Sequence, residues 1–532
     1  MTQDNHYDVI VIGSGIGALT AASVLAKLKR KRVLLLEQHY VAGGFTHEFK
    51  RPGNLTWDVG IHYIGDMGEG RDPRAIMDFI SDDGVQWTRM NEPFERFVYP
   101  DFTFALYGDP ARFKKDLIGR FPDEEAAIAQ YFRDIEKAVS WGRRRFVGDT
   151  LPFPLRDLLL GPGGAKKQLA LTTTKEYLDA RFRDPKLKAT LVSQWKDHGM
   201  PPDRSAFLAH AIIVDHYLRG GYYPVGGAHA IATSIMPVIE KRGGKCLTRH
   251  RVTRLLVENG AAKGVEVAHR KGGRDLTDTY FAPVVISGAG AHTTYAKLIP
   301  REMAEPYLDK LNTLLPGNSA VSLYVSFKES PERLGFRGEN YWIADSYDHD
   351  GDRESESVLS GNPVACYLSF PSLKDPKATI HTAEIVALTD YGAFKRWADR
   401  PWKNRGEEYD ALKDRIAAGL LGLVERKFPG FSDLVEYQEV STPLSVEHFM
   451  RSPEGAIYGL AGTPERFRQK WLGVRTPVRN LYLAGSDVYF HGLVGATMGG
   501  LAAASAVMGP FGFFRIMTAI MRAAKKRTRK RK

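Results

Sequence analysis

Gly13, Gly15 and Ala18 stand in the spacing G-x-G-x-x-A, with Gly17 inside the same loop. Such a loop cradles phosphate: Gly13 makes a tight turn, Gly15 admits a pyrophosphate against bare backbone, and Ala18 lets a helix pack closely on a strand. Glu37 follows 19 residues after Ala18. An acid there hydrogen-bonds a ribose 2′-hydroxyl and repels a 2′-phosphate, so an unphosphorylated adenosine ribose is expected. Gly43 and Gly44 add a second bare stretch of backbone shortly after. Far along the chain, Gly485-Ser486-Asp487 closes one apolar run and Gly492-Leu493-Val494-Gly495-Ala496 opens another. Asp487 is placed to hold ribityl or phosphate-bridging hydroxyls. A helix starting near Gly495 and Ala496 would stabilise negative charge on the pyrimidine edge of a flavin. The C-terminal piece also reads as a plain strand–helix core unit. Taken together, two distant segments converging on one extended dinucleotide point to FAD.

These residues need elements to hold them. Residues 7–12 form a largely β-branched run, as a parallel strand buried on both faces requires. A helical pattern follows over 19–26 and a second apolar strand over 33–36, ending at Glu37. The helix start offers free N–H groups and the positive end of its dipole to phosphate. Residues 228–241 suit a helix, whereas 245–247, 252–258 and 263–268 alternate as strands around a Glu258-Asn259-Gly260 turn. Residues 281–286 read as another buried strand, and the backbone at Val252 is expected on the adenine side. Residues 123–217 are mostly helical in pattern, broken at Pro152, Pro162 and Pro185, and 320–327, 364–370 and 384–390 alternate like strands of a sheet. No second G-x-G-x-x-G lies at a strand–helix junction, so electrons must come from a partner, a diffusible donor or the substrate.

Composition sets the outer limits. At 532 residues the chain exceeds the ~250–300 at which one core stops growing. With 43% hydrophobic and 11% aromatic residues it buries enough surface to exclude disorder as its main state. Cys246 and Cys366 cannot build a disulfide framework or a four-thiolate metal site, and they suit a reducing cytosol. The histidines lack H-x-x-x-H spacing, and no metal is expected. The polar start over residues 1–7 argues against a secretory leader. Residues 495–514 are uncharged but poor in Leu and Ile and broken by Gly509-Pro510, which disfavours a membrane span.

The net charge of +12 is unevenly spread. Residues 511–532 carry nine basic residues and no acid, leaving +3 for the rest. As a helix this tail puts Phe513, Met517, Ile520 and Met521 on one face and Arg515, Arg522, Lys526 and Arg529 on the other. That is the pattern of a helix lying on an anionic membrane surface. A disordered solubilising tail is the alternative, and the near-neutral body disfavours nucleic acid. Arg143-Arg144-Arg145 reads as a solvated helix face. A cytoplasmic, peripherally membrane-associated protein is expected.

The chain resembles the superfamily of FAD-dependent oxidoreductases that holds phytoene desaturases, carotenoid isomerases and retinol saturases. The likeness spans nearly the whole chain. It is carried by Asp58-Val59-Gly60-Ile61-His62-Tyr63-Ile64-Gly65 and by Asp197-His198-Gly199-Met200-Pro201-Pro202 with Ser205. Further pieces are His216-Tyr217, Gly220-Gly221-Tyr222-Tyr223-Pro224-Val225-Gly226-Gly227, Ser452-Pro453-Glu454-Gly455-Ala456-Ile457-Tyr458-Gly459, and the stretch from Gly492 to Ala496. The resemblance implies non-covalent FAD and an apolar polyene or other unsaturated lipid whose double bond is saturated, desaturated or isomerised. Two features depart from the pattern: Phe45 stands where relatives often carry Arg, and the leader of vertebrate retinol saturases is missing.

The fold class that follows is α/β: a discontinuous Rossmann-like FAD-binding domain, a mixed-sheet substrate domain and a helical cap. Its expected parts are FAD-binding at 1–70, 220–292 and 475–510, cap at 71–219, substrate domain at 293–474 and basic tail at 511–532. In a saturase a general acid protonates one alkene carbon. His62 and Tyr63, beside Gly60 on the flavin, are the candidates, with Tyr222 as a third; alternatively the pair only packs against the flavin. His216, Tyr217, Tyr223 and Tyr458 either line a substrate tunnel or fill the core. Saturation of a retinoid- or carotenoid-like lipid is the expected reaction. Desaturation, redox-neutral isomerisation and a non-catalytic flavin-containing lipid carrier are the alternatives, and the electron donor is left open.

Overall fold

The computed structural model describes residues 5–151, 155–156, 164–349 and 352–531. The start of the chain, the breaks expected at Pro152 and Pro162, and Lys532 lie outside them. Pro185 heads the helix Pro185–Val192, where the Asp184 side chain accepts from the N–H groups of Lys186 and Leu187. Proline is tolerated there because its missing N–H would be unpaired in any helix.

Val9–Ile12, buried on both faces, is the central strand of a five-stranded parallel sheet. Val33–Leu36 and Lys245–Leu247 lie on one side of it, Val285–Ser287 and Leu481–Leu483 on the other. Widely separated stretches of chain therefore build one discontinuous sheet. The helix Ile16–Lys29 makes the crossover that parallel neighbours require. The turn into it needs φ +85° at Gly13, a conformation that favours glycine. Residues 281–286 do not form one strand. Arg274–Phe281 instead completes a three-stranded antiparallel sheet with His250–Glu258 and Ala261–Lys271, and only Val285–Ser287 joins the parallel sheet. Pro283 separates the two, having no N–H to offer a ladder.

A second, mixed sheet has seven strands. Their order is Val435–Ser441, Ser319–Phe327, Thr382–Thr389, Ala365–Ser369, Asn340–Ala344, Glu95–Val98 and Thr103–Leu106. The last two come from a stretch expected to be helical cap. Side chains alternate between the faces of a strand. Leu323, Val325, Ile385, Ala387 and Leu368 share one face and form an apolar core with Ile416, Leu420 and Leu423 of the helix Glu407–Lys427. The opposite face mixes polar and apolar side chains: cross-strand pairing sets Tyr324 and Ser369 beside Glu384, and Ser322 and Tyr367 beside Val386.

The helices Glu125–Asp149 and Phe207–Tyr217 pack around a third core of aromatics, with Tyr177 and Phe207 stacked at 3.8 Å. Of the arginine run, Arg144 is exposed, Arg143 pairs with Asp215 at 2.8 Å, and Arg145 lies half-buried 3.6 Å from Asp149. The solvated-face expectation therefore fails at Arg145.

The tail forms the helix Gly512–Arg531, bent by 118° from Gly492–Met508. Its apolar face is not free. Phe513, Ile516 and Ile520 are buried in the core that also holds the helix Asp72–Ile80, and Arg527 pairs with Asp78 at 2.8 Å. Met521, expected on that face, is exposed with Phe511 and Phe514, and Met517 is half-buried. Among the described residues no single helix is long and apolar enough to cross a membrane.

Candidate active site

The five parallel strands end on one side, where ligands of open α/β sheets bind. Gly13, Glu37, Gly288 and Gly485, each just past a strand end, line a cavity of about 530 Å³ there. Glu37 ties the loop together. Its Oε2 accepts from the Ser14 N–H at 2.9 Å and the Ser14 hydroxyl at 2.7 Å, and Oε1 accepts from the His39 N–H at 2.8 Å. The Ser14 hydroxyl in turn accepts from the Gly43 N–H at 3.0 Å, joining the glycine pair to the phosphate loop. Sequence reading missed Ser14 because the pattern leaves its position free.

Two helix N-termini reach this cavity. Ile16–Lys29 and Gly492–Met508 start at Gly15 and His491 with no side-chain cap. Their first N–H groups are thus left for a ligand, at the positive ends of both dipoles. A Cβ on Gly15 would meet no protein atom within 4 Å and would project into open space. Asp487 accepts from the Ala291 N–H at 2.7 Å and the Leu460 N–H at 3.0 Å, pinning three segments at the same wall. Gly17, Ala18, Gly44, Gly60, Val252 and Ala496 also line the cavity. Gly495 does not: a Cβ added there would collide with the Phe490 carbonyl oxygen, so glycine there serves the close approach of the helix start to Phe490. Open glycine backbone, two uncapped helix starts and an acid at the ribose position fit a dinucleotide of FAD's charge and length.

Beyond the glycines the wall changes character, with Ala320, Ser322, Val386, Ile457 and Tyr458 lining it. His62 is on this wall, with Nδ1 2.7 Å from Oε2 of the buried Glu384 and its ring 5.3 Å from that of Tyr367. Lys374 Nζ, also buried, donates to the His62 carbonyl at 2.9 Å, Asn340 Oδ1 at 2.5 Å and Ser369 Oγ at 2.6 Å. Burial lowers Lys374 to about 7, against the pull of Glu384 and Asp58. Asp58 is raised to about 7 by burial and by Glu384; it accepts from the Tyr223 hydroxyl and from the Ala228 N–H at 2.9 Å. Glu384 was not singled out from the sequence, although a lone acid inside the apolar run Ala383-Glu384-Ile385-Val386-Ala387 is a usable signal.

Several sequence candidates stand elsewhere. Tyr63 points away from the cavity, donating to Asp197 Oδ2 at 2.6 Å and stacking on Tyr217 at 4.3 Å. Burial raises Asp197 to about 7, and burial with the Asp197 charge raises Glu95 to about 8. Tyr222 pairs with Ile64 in a short sheet, and its hydroxyl lies over Gly68 rather than in the cavity. His216 is structural: its Nε2 accepts from the Gly65 N–H at 2.9 Å, and burial lowers it to about 4. Tyr217 and Tyr223 are core residues held by Tyr63 and Asp58. Of the expected tunnel residues, Tyr458 alone lines the cavity, beside His491 at 5.8 Å between rings.

A discontinuous nucleotide-binding sheet joined to a mixed sheet, with the cavity between them, defines a flavin-dependent oxidoreductase. The chain belongs to the flavin containing amine oxidoreductase family, whose model matches residues 19–508. It is 33% identical over 531 residues to the all-trans-retinol 13,14-reductase of Danio rerio, covering 94% of this chain and 86% of that one. It is 26% identical to prolycopene isomerase 2 of an Oncidium hybrid cultivar, covering 96% and 85%. Its fold matches an oxidoreductase from Methanosarcina mazei with a TM-score of 0.62 at 17% identity, covering 94% and 99%. The protein is an FAD-dependent oxidoreductase.

Proposed function

We propose that this protein saturates a carbon–carbon double bond of a retinoid-like polyene lipid. The observation that carries this reading is the 33% identity over 94% of the chain to an all-trans-retinol 13,14-reductase. Bound FAD, once reduced, supplies the electron pair and one hydrogen. The chain's residues do the rest. Gly13, Gly15, Glu37 and the two uncapped helix starts hold the dinucleotide. Ala320, Val386, Ile457 and Tyr458 give an apolar polyene a surface to lie against. His62, 2.7 Å from the buried Glu384 on that wall, supplies the proton from its ring.

The 26% identity to a prolycopene isomerase favours a second reading, cis–trans isomerisation without net redox change. Product mass separates the two. Reduced holoenzyme is mixed anaerobically with retinoids, carotenoids and unsaturated fatty acids. A gain of two hydrogens from a retinoid is expected. Unchanged mass with altered geometry supports the isomerase, a loss of two hydrogens with oxidised enzyme supports a desaturase, and no conversion supports a carrier.

The substrate would reside in a membrane, and we propose that the protein meets it there as a peripheral cytoplasmic protein. The support is the outward side of the docked tail, where Phe511, Phe514 and Met521 are exposed beside Arg515, Arg522, Lys525 and Lys526. Apolar side chains among cations suit an anionic interface. With no second nucleotide fold in the sequence, the reductant is a separate donor.

A further inference from the structure

His62 is gripped from two sides by ionisable groups that solvent does not reach. Glu384 lies 2.7 Å from the ring at Nδ1, and Lys374 holds the His62 carbonyl at 2.9 Å. Glu384 is 0% exposed, in a central strand between Tyr324 and Ser369, on the face that also carries the cavity-lining Ser322 and Val386. A buried carboxylate is costly unless partnered, and an apolar residue would serve a central strand better. The charged groups around His62 are Glu384, Lys374 of the helix Pro371–Lys374, Asp58 of the strand Leu55–Asp58 and Asp197 of the turn Trp195–Asp197. Among the described residues, Glu384 is the acid within ion-pair distance of the ring.

We propose that Glu384 is a positioning residue that holds His62 with hydrogen on Nδ1 and turns Nε2 toward the cavity. This inference rests on the saturase reading. In the proton step the N–H bond at Nε2 breaks and its electron pair stays on nitrogen. The proton forms a C–H bond at one alkene carbon; bound FAD, when reduced, would supply the hydrogen and electron pair for the neighbouring carbon. The ring is left neutral with its hydrogen on Nδ1, 2.7 Å from Glu384 Oε2, and a proton from water recharges Nε2. A carboxylate behind an imidazole fixes tautomer and ring orientation in this way, a role whose loss typically costs 10- to 100-fold.

The test compares wild type, Glu384→Gln and Glu384→Asp as FAD-loaded enzymes on a retinoid that the wild type saturates. For Glu384→Gln, kcat should fall about 10- to 100-fold with KM within about twofold. Glu384→Asp should recover part of the rate. Independently of turnover, nitrogen NMR of histidine-labelled wild-type holoenzyme should include, among its Nδ1-protonated imidazoles, a signal that belongs to His62. That signal should vanish in His62→Gln and become a mixture of tautomers in Glu384→Gln. Wild-type kcat in Glu384→Gln, or an unprotonated His62 Nδ1 in wild type, would overturn the proposal. Should Glu384→Gln fail to fold, the wild-type spectrum decides. Should the wild type saturate nothing, the functional reading falls, and the tautomer result still decides whether Glu384 holds His62.

Discussion

Gly17 and Gly485 meet backbone to backbone: a Cβ on Gly17 would lie 2.6 Å from the Gly485 Cα and 2.8 Å from the Ala496 carbonyl. The contact brings the first turn of Ile16–Lys29 against the end of Leu481–Leu483 and the helix that follows. Gly17→Val overpacks it, at a cost of about 1–3 kcal/mol or more. We expect a lower melting temperature and loss of bound flavin, read from the visible spectrum. Gly15→Ala should differ. Its Cβ enters open cavity, so the apo-protein should melt as wild type does while FAD affinity falls.

His62 and Tyr63 are neighbours in sequence with opposite surroundings. His62→Gln should lower kcat for saturation by about 10²–10⁴-fold, the usual worth of a general acid. Tyr63→Phe should leave kcat within a few-fold and lower stability by about 1–3 kcal/mol, because Asp197 loses its hydroxyl donor. Equal kinetic losses in the two variants would contradict this division. Steady-state kinetics with denaturant unfolding measures both.

Asp58 makes stability pH-dependent. Its folded value of about 7 lies above the ordinary 3.8, so between those values the folded state holds a proton that the unfolded chain has lost. Stability therefore falls as pH rises through this window, by at most about 1.4 kcal/mol per unit from this group. Asp58→Asn lacks the titration, and its slope of unfolding free energy against pH from 4 to 7 should be less negative than wild type. An unchanged slope would assign the effect to other groups.

The docked tail separates packing from surface attraction. Reversing Lys525 and Lys526 to Glu should weaken binding to vesicles of anionic lipid, on the scale of about 1 kcal/mol per charge, without changing the melting temperature. Ile516→Asp, at a 0% exposed position, should instead lower the melting temperature. Sedimentation with vesicles and thermal melts distinguish the two.

The nucleotide end of the site was legible in the residues. Gly13, Gly15, Ala18 and Glu37 lie within one strand–helix–strand unit, and phosphate binding there rests on local backbone geometry that small residues report. The chemistry end was not. Neighbours in sequence such as His62 and Tyr63, or Tyr222 and Tyr223, point to different places because side chains alternate along extended chain. The His62–Glu384 contact joins residues far apart in the chain, and no spacing rule encodes which face of a central strand will meet a loop. The tail shows the same limit: its amphipathic pattern foretold a helix with one buried side. Burial of that side against the body, rather than in lipid, followed from where Phe513, Ile516 and Ile520 found apolar partners after folding.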